Sequence, residues 1–173
     1  PNPELTWVRD LIQPQLQEIA RSHLGKIIIG MAFDRDADRQ NILDDKAQSS
    51  ADKFGVLAIR QLAANYRKLH PNDHRKIVAY VDMKCSLLVF NDPVLKELNV
   101  EVRPTKTGHS YLKWHLRQAG QNTKEITLAA FEQSGHCFWR IDPANPQSDV
   151  VEDPMAFIFA VMQYLQENNF SRS

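Results

Sequence analysis

The stretch at 25–39, Gly-Lys-Ile-Ile-Ile-Gly-Met-Ala-Phe-Asp-Arg-Asp-Ala-Asp-Arg, constrains this chain more than any other. The apolar run at 26–33 is too short for a typical helix, so it reads as a buried strand. It ends in Asp34, Asp36 and Asp38, followed by Arg39. In an extended loop, residues two apart point to the same side, so three like charges are crowded together. A hard divalent cation among them relieves the repulsion, and an all-oxygen donor set suits Mg²⁺ or Ca²⁺. A loop at the carboxyl end of a strand is also where open α/β sheets place ligands.

Other readings of the loop compete. A lone Asp-x-Asp is usually a solvated acidic turn; the third Asp after an apolar strand raises the metal reading to equal weight. An EF-hand needs Gly at loop position six and Glu at position twelve. Arg39 and Asp45 stand there, and a strand precedes, so that reading is rejected. A nucleic-acid phosphotransfer loop of the primase or topoisomerase kind would want a basic, aromatic-laced surface. The chain has 21 Lys plus Arg against 21 Asp plus Glu, and this zero net charge disfavours nucleic acid and anionic membranes as partners.

The 173 residues suffice for one domain and part of another, and a hydrophobic content of 43% supports a real core. No apolar run approaches a membrane span and no signal peptide is evident. Cys85 and Cys137 form no disulfide framework or zinc motif, which suits buried thiols in a cytoplasmic protein. The start at Pro1 suggests an excerpt of a longer polypeptide.

Residues 1–4 read as an extended lead-in. A helix is predicted from Trp7 to Ser22 after a Thr6 cap, with Trp7, Leu11, Leu16 and Ile19 along one face and a bend at Pro14. After the aspartate loop come a short strand at 41–43, a polar turn at 44–50 and the clearest helix, 51–69. A second buried strand follows at 76–82, then a helix at 86–98 that contains Pro93, then a strand at 100–103. Gly108 opens a helix to about residue 118; alternation in Tyr111-Leu112-Lys113-Trp114-His115-Leu116 would permit a strand, but a βα turn precedes. Strands at 126–131 and 136–140 can form a hairpin. Residues 142–152 read as loop, 154–166 as a closing helix, and 167–173 as a polar tail. Alternating strands and helices give an α/β fold with a mixed sheet flanked by helices.

Three further polar loops follow strand ends: Asp82-Met83-Lys84-Cys85, Thr105-Lys106-Thr107-Gly108-His109-Ser110 and Glu132-Gln133-Ser134-Gly135-His136. Taken singly, Lys84 reads as a surface lysine, His109 as a helix N-terminal residue, and Glu132 and Ser134 as turn chemistry. Taken together they offer cations for a phosphate, a helix N-terminus for an anion, an imidazole for proton transfer, and a carboxylate with a hydroxyl for sugar OH groups. A metal loop with such a rim suits a phosphorylated polyol.

These motifs resemble the α-D-phosphohexomutase superfamily, most closely its phosphomannomutase/phosphoglucomutase branch. The family's metal loop is Asp-Gly-Asp-x-Asp-Arg, matched at 34–39 with Arg35 in place of Gly. Asp82-Met83-Lys84-Cys85 is similar to Asp-Val-Lys-Cys, residues 106–110 match Lys-Thr-Gly-His-Ser, and 132–136 match Glu-x-Ser-Gly-His with Phe131 in place of a leading Gly. Glu152-Asp153-Pro154 stands for Asp-Asp-Gly and reads as a helix start. The lead-in at 1–5 is similar to the segment before the last helix of the second domain. The resemblance implies the end of domain two at 1–40, a three-layer α/β/α domain three at 41–169, and a tail or linker at 170–173.

It further implies that Asp34, Asp36 and Asp38 bind Mg²⁺, that Arg39 supports a phosphate, and that Lys84 and His109 act in proton transfer or substrate binding. Glu132, Gln133, Ser134, Gly135 and His136 would form the sugar loop. The reaction implied interconverts hexose 1- and 6-phosphates through an active-site phosphoserine. The family's Thr-Ala-Ser-His-Asn-Pro phosphoserine loop does not occur here, so this chain alone is expected to be inactive and to work with the remaining domains of its polypeptide. The alternatives are a sugar-phosphate-binding homologue without chemistry and the phosphoglucosamine branch.

Overall fold

Strand β3 (Lys76–Asp82) shows how the core is built. Its side chains alternate between the two faces of a five-stranded sheet. Ile77, Ala79 and Val81 enter one cluster with α2 (Ala51–Leu69) and α6 (Pro154–Glu167); Val78 and Tyr80 enter a second with Leu112 and Leu116 of α5 (His109–Ala119). The computed structural model describes residues 6–44, 46, 51–119 and 124–168. The lead-in at 1–5, most of the turn at 44–50 and the tail at 169–173 lie outside the described residues.

The sheet order is β4-β3-β5-β6-β7, where β4 is Val100–Thr105, β5 Glu125–Phe131, β6 Cys137–Arg140 and β7 Val150–Glu152. β4, β3 and β5 run parallel, and β5, β6 and β7 antiparallel, so the sheet is mixed, as the alternation indicated, and with helices on both faces it has the three layers that the resemblance implied. β4 is an edge strand, which lets it carry Pro104. Among the described residues no helix is long and apolar enough to cross a membrane.

Four local expectations are corrected. The helix expected over 86–98 is two short ones, α3 (Leu87–Phe90) and α4 (Pro93–Glu97). Asp92 caps the second by accepting the Leu95 N–H at 3.0 Å, and Pro93 occupies its first turn, where no N–H is needed. The expected loop at 142–152 ends in β7, whose β-branched Val150 and Val151 pair with Arg140 and Trp139. In α1 (Thr6–Ser22) the buried face is Val8, Ile12, Leu16 and Ala20, while Trp7, Leu11 and Ile19 are exposed. Gly30 fits this choice: a Cβ there would come 3.0 Å from Ile12 and 2.9 Å from Leu16, so the face that carries Ile12 packs close to β1.

The fourth concerns the first strand. β1 (Ile29–Phe33) is shorter than expected and only half-buried, with Met31 exposed. It pairs antiparallel with β2 (Gln40–Asp44) in a separate two-stranded sheet that packs against α1 through Val8, Leu16, Ala32 and Leu43. The aspartate loop is therefore the tip of a hairpin.

Candidate functional site

The hairpin tip meets the main sheet through backbone. Arg39 forms an antiparallel bridge with His136, and the Gln40 N–H donates to the Gly135 carbonyl at 3.2 Å. Gly135 has φ +99°, and a Cβ on it would sit 3.0 Å from the Gln40 nitrogen and closer still to its carbonyl oxygen. Only glycine allows this approach. The Gln40 side-chain amide adds a bond to the Cys137 sulfur at 3.2 Å.

Within the loop, one carboxylate oxygen each from Asp34, Asp36 and Asp38 lies within 4.8 Å of the others. Asp34 is buried; Arg39 donates to it from its backbone N–H at 3.1 Å and from Nε at 2.7 Å. Burial pushes the Asp34 carboxyl up, but the Arg39 hydrogen bonds and charge outweigh it and hold it below its ordinary value. Asp38 is the opposite case. Burial raises it, His136 lowers it, and the Asp34 and Asp36 carboxylates raise it again, leaving it above its ordinary value. Its Oδ1 is buried without a hydrogen-bond partner among the described residues, and Arg39 Nε is 3.8 Å away. Three converging carboxylates, one with an unsatisfied buried oxygen, fit a hard divalent cation.

The second loop closes on itself. The Glu132 N–H donates to the His136 carbonyl at 3.1 Å, and the Glu132 carbonyl accepts the Gly135 N–H at 3.1 Å. The Glu132 side chain is buried, takes a hydrogen bond from the Ser134 hydroxyl on Oε1, and leaves Oε2 without a partner among the described residues. Gln133 is exposed at the tip. His136 is buried among Glu152, Asp38 and Glu132. Its Nδ1 lies 2.7 Å from Glu152 Oε1 and 3.7 Å from Asp38, and its Nε2 lies 3.8 Å from Glu132. The His109 ring stands 5.2 Å from the His136 ring, centroid to centroid. Lys84 has an exposed side chain, and its loop reaches the His109 loop through Asp82. A groove of about 240 Å³ lined by Phe33, Ala37, Glu152, Asp153, Pro154 and Met155 flanks the aspartate loop.

Residues 50–171 match the family described as phosphoglucomutase/phosphomannomutase, alpha/beta/alpha domain III. The chain belongs to this family. The phosphoglucomutases of Neisseria gonorrhoeae and of Neisseria meningitidis serogroup A are each 32% identical to it over 123 residues, which is 70% of this chain and 23% of theirs. The chain thus spans about a quarter of the length of those relatives. A phosphoglucomutase/phosphomannomutase family protein of Burkholderia thailandensis has a similar fold, with TM-score 0.60 and 22% identity over 95% of this chain and 31% of its own. An Aspergillus fumigatus N-acetylphosphoglucosamine mutase variant in complex with glucose 1,6-bisphosphate superposes with TM-score 0.61 and 16% identity over 83% of this chain and 31% of its own.

Two features of this phosphohexomutase-family domain escaped the reading of its sequence. Glu152 is more than part of a helix start. Asp153 caps α6 by accepting the Ala156 N–H at 3.0 Å, while Glu152, the last residue of β7, holds His136 and takes the Lys113 ammonium at 3.2 Å. The Val150-Val151 pair was the available signal for a strand that would carry Glu152 to the site. Phe131 is the other. Its ring lies over Gly55 of α2, where a Cβ would come within 2.6 Å, so a glycine in the helix makes room for the ring.

Proposed function

We propose that this chain is the metal- and sugar-binding portion of a Mg²⁺-dependent phosphohexomutase that interconverts hexose 1- and 6-phosphates. In this reading residues 1–40 close the second domain, 41–169 form the third, and 170–173 lead onward. Asp34, Asp36 and Asp38 hold the cation, which when bound supplies charge neutralisation for the phosphoryl group. Arg39 keeps Asp34 ionised and in place. Glu132 and Ser134 take sugar hydroxyls; Glu132 Oε2 has no hydrogen-bond partner among the described residues. Lys84 and His109 serve in substrate binding or proton transfer, one of them taking the proton of the attacking hydroxyl. That hydroxyl bonds to the phosphorus of a phosphoserine elsewhere in the polypeptide as the serine oxygen leaves; the reverse at the other end of the sugar restores the phosphoserine. Glu152 holds the His136 ring against this rim.

The observation that supports this reading most is the Arg39–Gln40 to Gly135–His136 backbone pairing, because it joins a cation loop to a hydroxyl-binding loop. The exposed Trp7, Leu11 and Ile19 of α1 are surfaces that the remaining domains of the same polypeptide would cover. The test is kcat/KM of the parent polypeptide on the 1-phosphates of glucose, mannose and glucosamine. Turnover of at least one is expected, with none from the 173-residue chain alone. A parent that binds these sugars but converts none of them would replace this reading with that of a binding module.

A further inference from the structure

Strands β3 and β4 are parallel neighbours, and each ends in a loop that carries one candidate substrate residue, Lys84 after β3 and His109 after β4. The strand pairing stops at Asp82 and Thr105. Beyond that point a different set of bonds fixes one loop against the other. The Met83 N–H donates to the Thr105 carbonyl at 3.0 Å. The Asp82 side chain, 2% exposed, then serves both loops with one oxygen: Oδ1 accepts the Lys84 backbone N–H at 3.0 Å and the Thr107 hydroxyl at 2.8 Å. The Asp82 carbonyl accepts the Cys85 N–H at 2.9 Å and closes the turn that carries Lys84. No lysine or arginine pairs with Asp82 among the described residues, so these dipoles compensate its buried carboxylate. Losing one of them leaves a buried acceptor short of a donor, and the carboxylate must turn to find another.

Resting on the mutase reading, we propose that Asp82 is a positioning residue, a clasp that locks the Lys84 loop and the His109 loop into one register. It touches no substrate and acts through the two loops. Groups on separate loops serve one ligand only if their spacing is held, and a misplacement of about 1 Å costs up to about a hundredfold in rate. Thr107 contributes only a hydroxyl to the clasp, so Thr107→Val removes the bond at nearly constant volume and Thr107→Ser keeps it.

Two measurements separate the clasp from the reading it rests on. In the 173-residue chain, hydrogen exchange of Thr107→Val is expected to quicken over 83–85 and 106–109 together, with Thr107→Ser close to the parent sequence. Quickening confined to 106–109 would overturn the clasp, whatever the protein does. In the parent polypeptide, Thr107→Val is expected to lower kcat/KM by about tenfold or more at a temperature where the variant is still folded, with Thr107→Ser restoring it. An active parent in which Thr107→Val leaves both kcat and KM unchanged would overturn the positioning role while leaving the mutase reading intact. An inactive parent would remove the mutase reading, and the exchange result would still decide the coupling of the loops.

Discussion

Replacing Gly135 with Ala tests how the aspartate loop and the sugar loop are joined. Two costs follow from the structure. The backbone at φ +99° disfavours any L side chain, which costs about 1–2 kcal/mol. The new Cβ would sit 3.0 Å from the Gln40 nitrogen and closer to its carbonyl oxygen, both backbone atoms that cannot swing aside. Relief requires the strands to part, losing the Gln40 to Gly135 bond, about 1 kcal/mol, and some of the Arg39–His136 bridge. The sum is about 3 kcal/mol, a large fraction of the stability of an ordinary domain. Gly25→Ala is the matched control: Gly25 has φ +78°, but nothing lies within 4 Å of its Cβ position, so it bears the conformational cost alone. In urea unfolding followed by far-UV circular dichroism, Gly135→Ala should lower the midpoint by about 1 M or more, and Gly25→Ala by roughly half of that. Equal shifts for the two variants would refute the close-approach argument.

Asp92→Ala should destabilise by about 2 kcal/mol in the same assay, because it strips the half-buried Arg60 guanidinium of its carboxylate and uncaps α4 together; a loss under about 0.5 kcal/mol would place the pair among inert surface contacts. Gly55→Ala should cost about 1–3 kcal/mol by driving a methyl into the Phe131 ring, and the double change with Phe131→Leu should recover part of it. Acid should weaken the fold through Glu101 and Asp73. Hydrogen bonds from Arg103 and Lys76 hold the Glu101 carboxyl down to about 2 from an ordinary 4.5, and Arg75 holds Asp73 below its usual range. Depressed carboxyls contribute stability that is complete above about pH 4.5 and is lost as pH falls toward about 2. Arg75→Gln should flatten that fall in a pH series of unfolding midpoints, and an unchanged slope would contradict it.

Much of the fold could be read from the sequence because its signals are local and agree. The 51–69 helix and the 76–82 strand carry clean periodicity, and Gly108 before α5 resolved an ambiguous alternation in favour of helix. Where reading failed, a single residue acted in two ways. Pro93 weakens a helix interior yet starts a new helix behind Asp92. α1 has two apolar stripes, and the close approach of Gly30 to Ile12 and Leu16 goes with the one that packs on the hairpin. At the site, polar loops after successive strands suggested a shared rim, but not the contacts that join them. Glu152 reaches His136 only because β7 pairs with β6 in a register that no local pattern encodes. The neighbourhood of Asp38 and His136, 3.7 Å apart, likewise depends on a bridge between segments almost a hundred residues apart.

The most direct measurement is conversion of hexose 1-phosphate to 6-phosphate by the parent polypeptide, followed by phosphorus NMR after metal removal and again after Mg²⁺ is restored. The 6-phosphate signal is expected to vanish with the metal, to return with Mg²⁺, and to stay absent in Asp36→Asn. Conversion that persists without metal, or that survives Asp36→Asn unchanged, would contradict it.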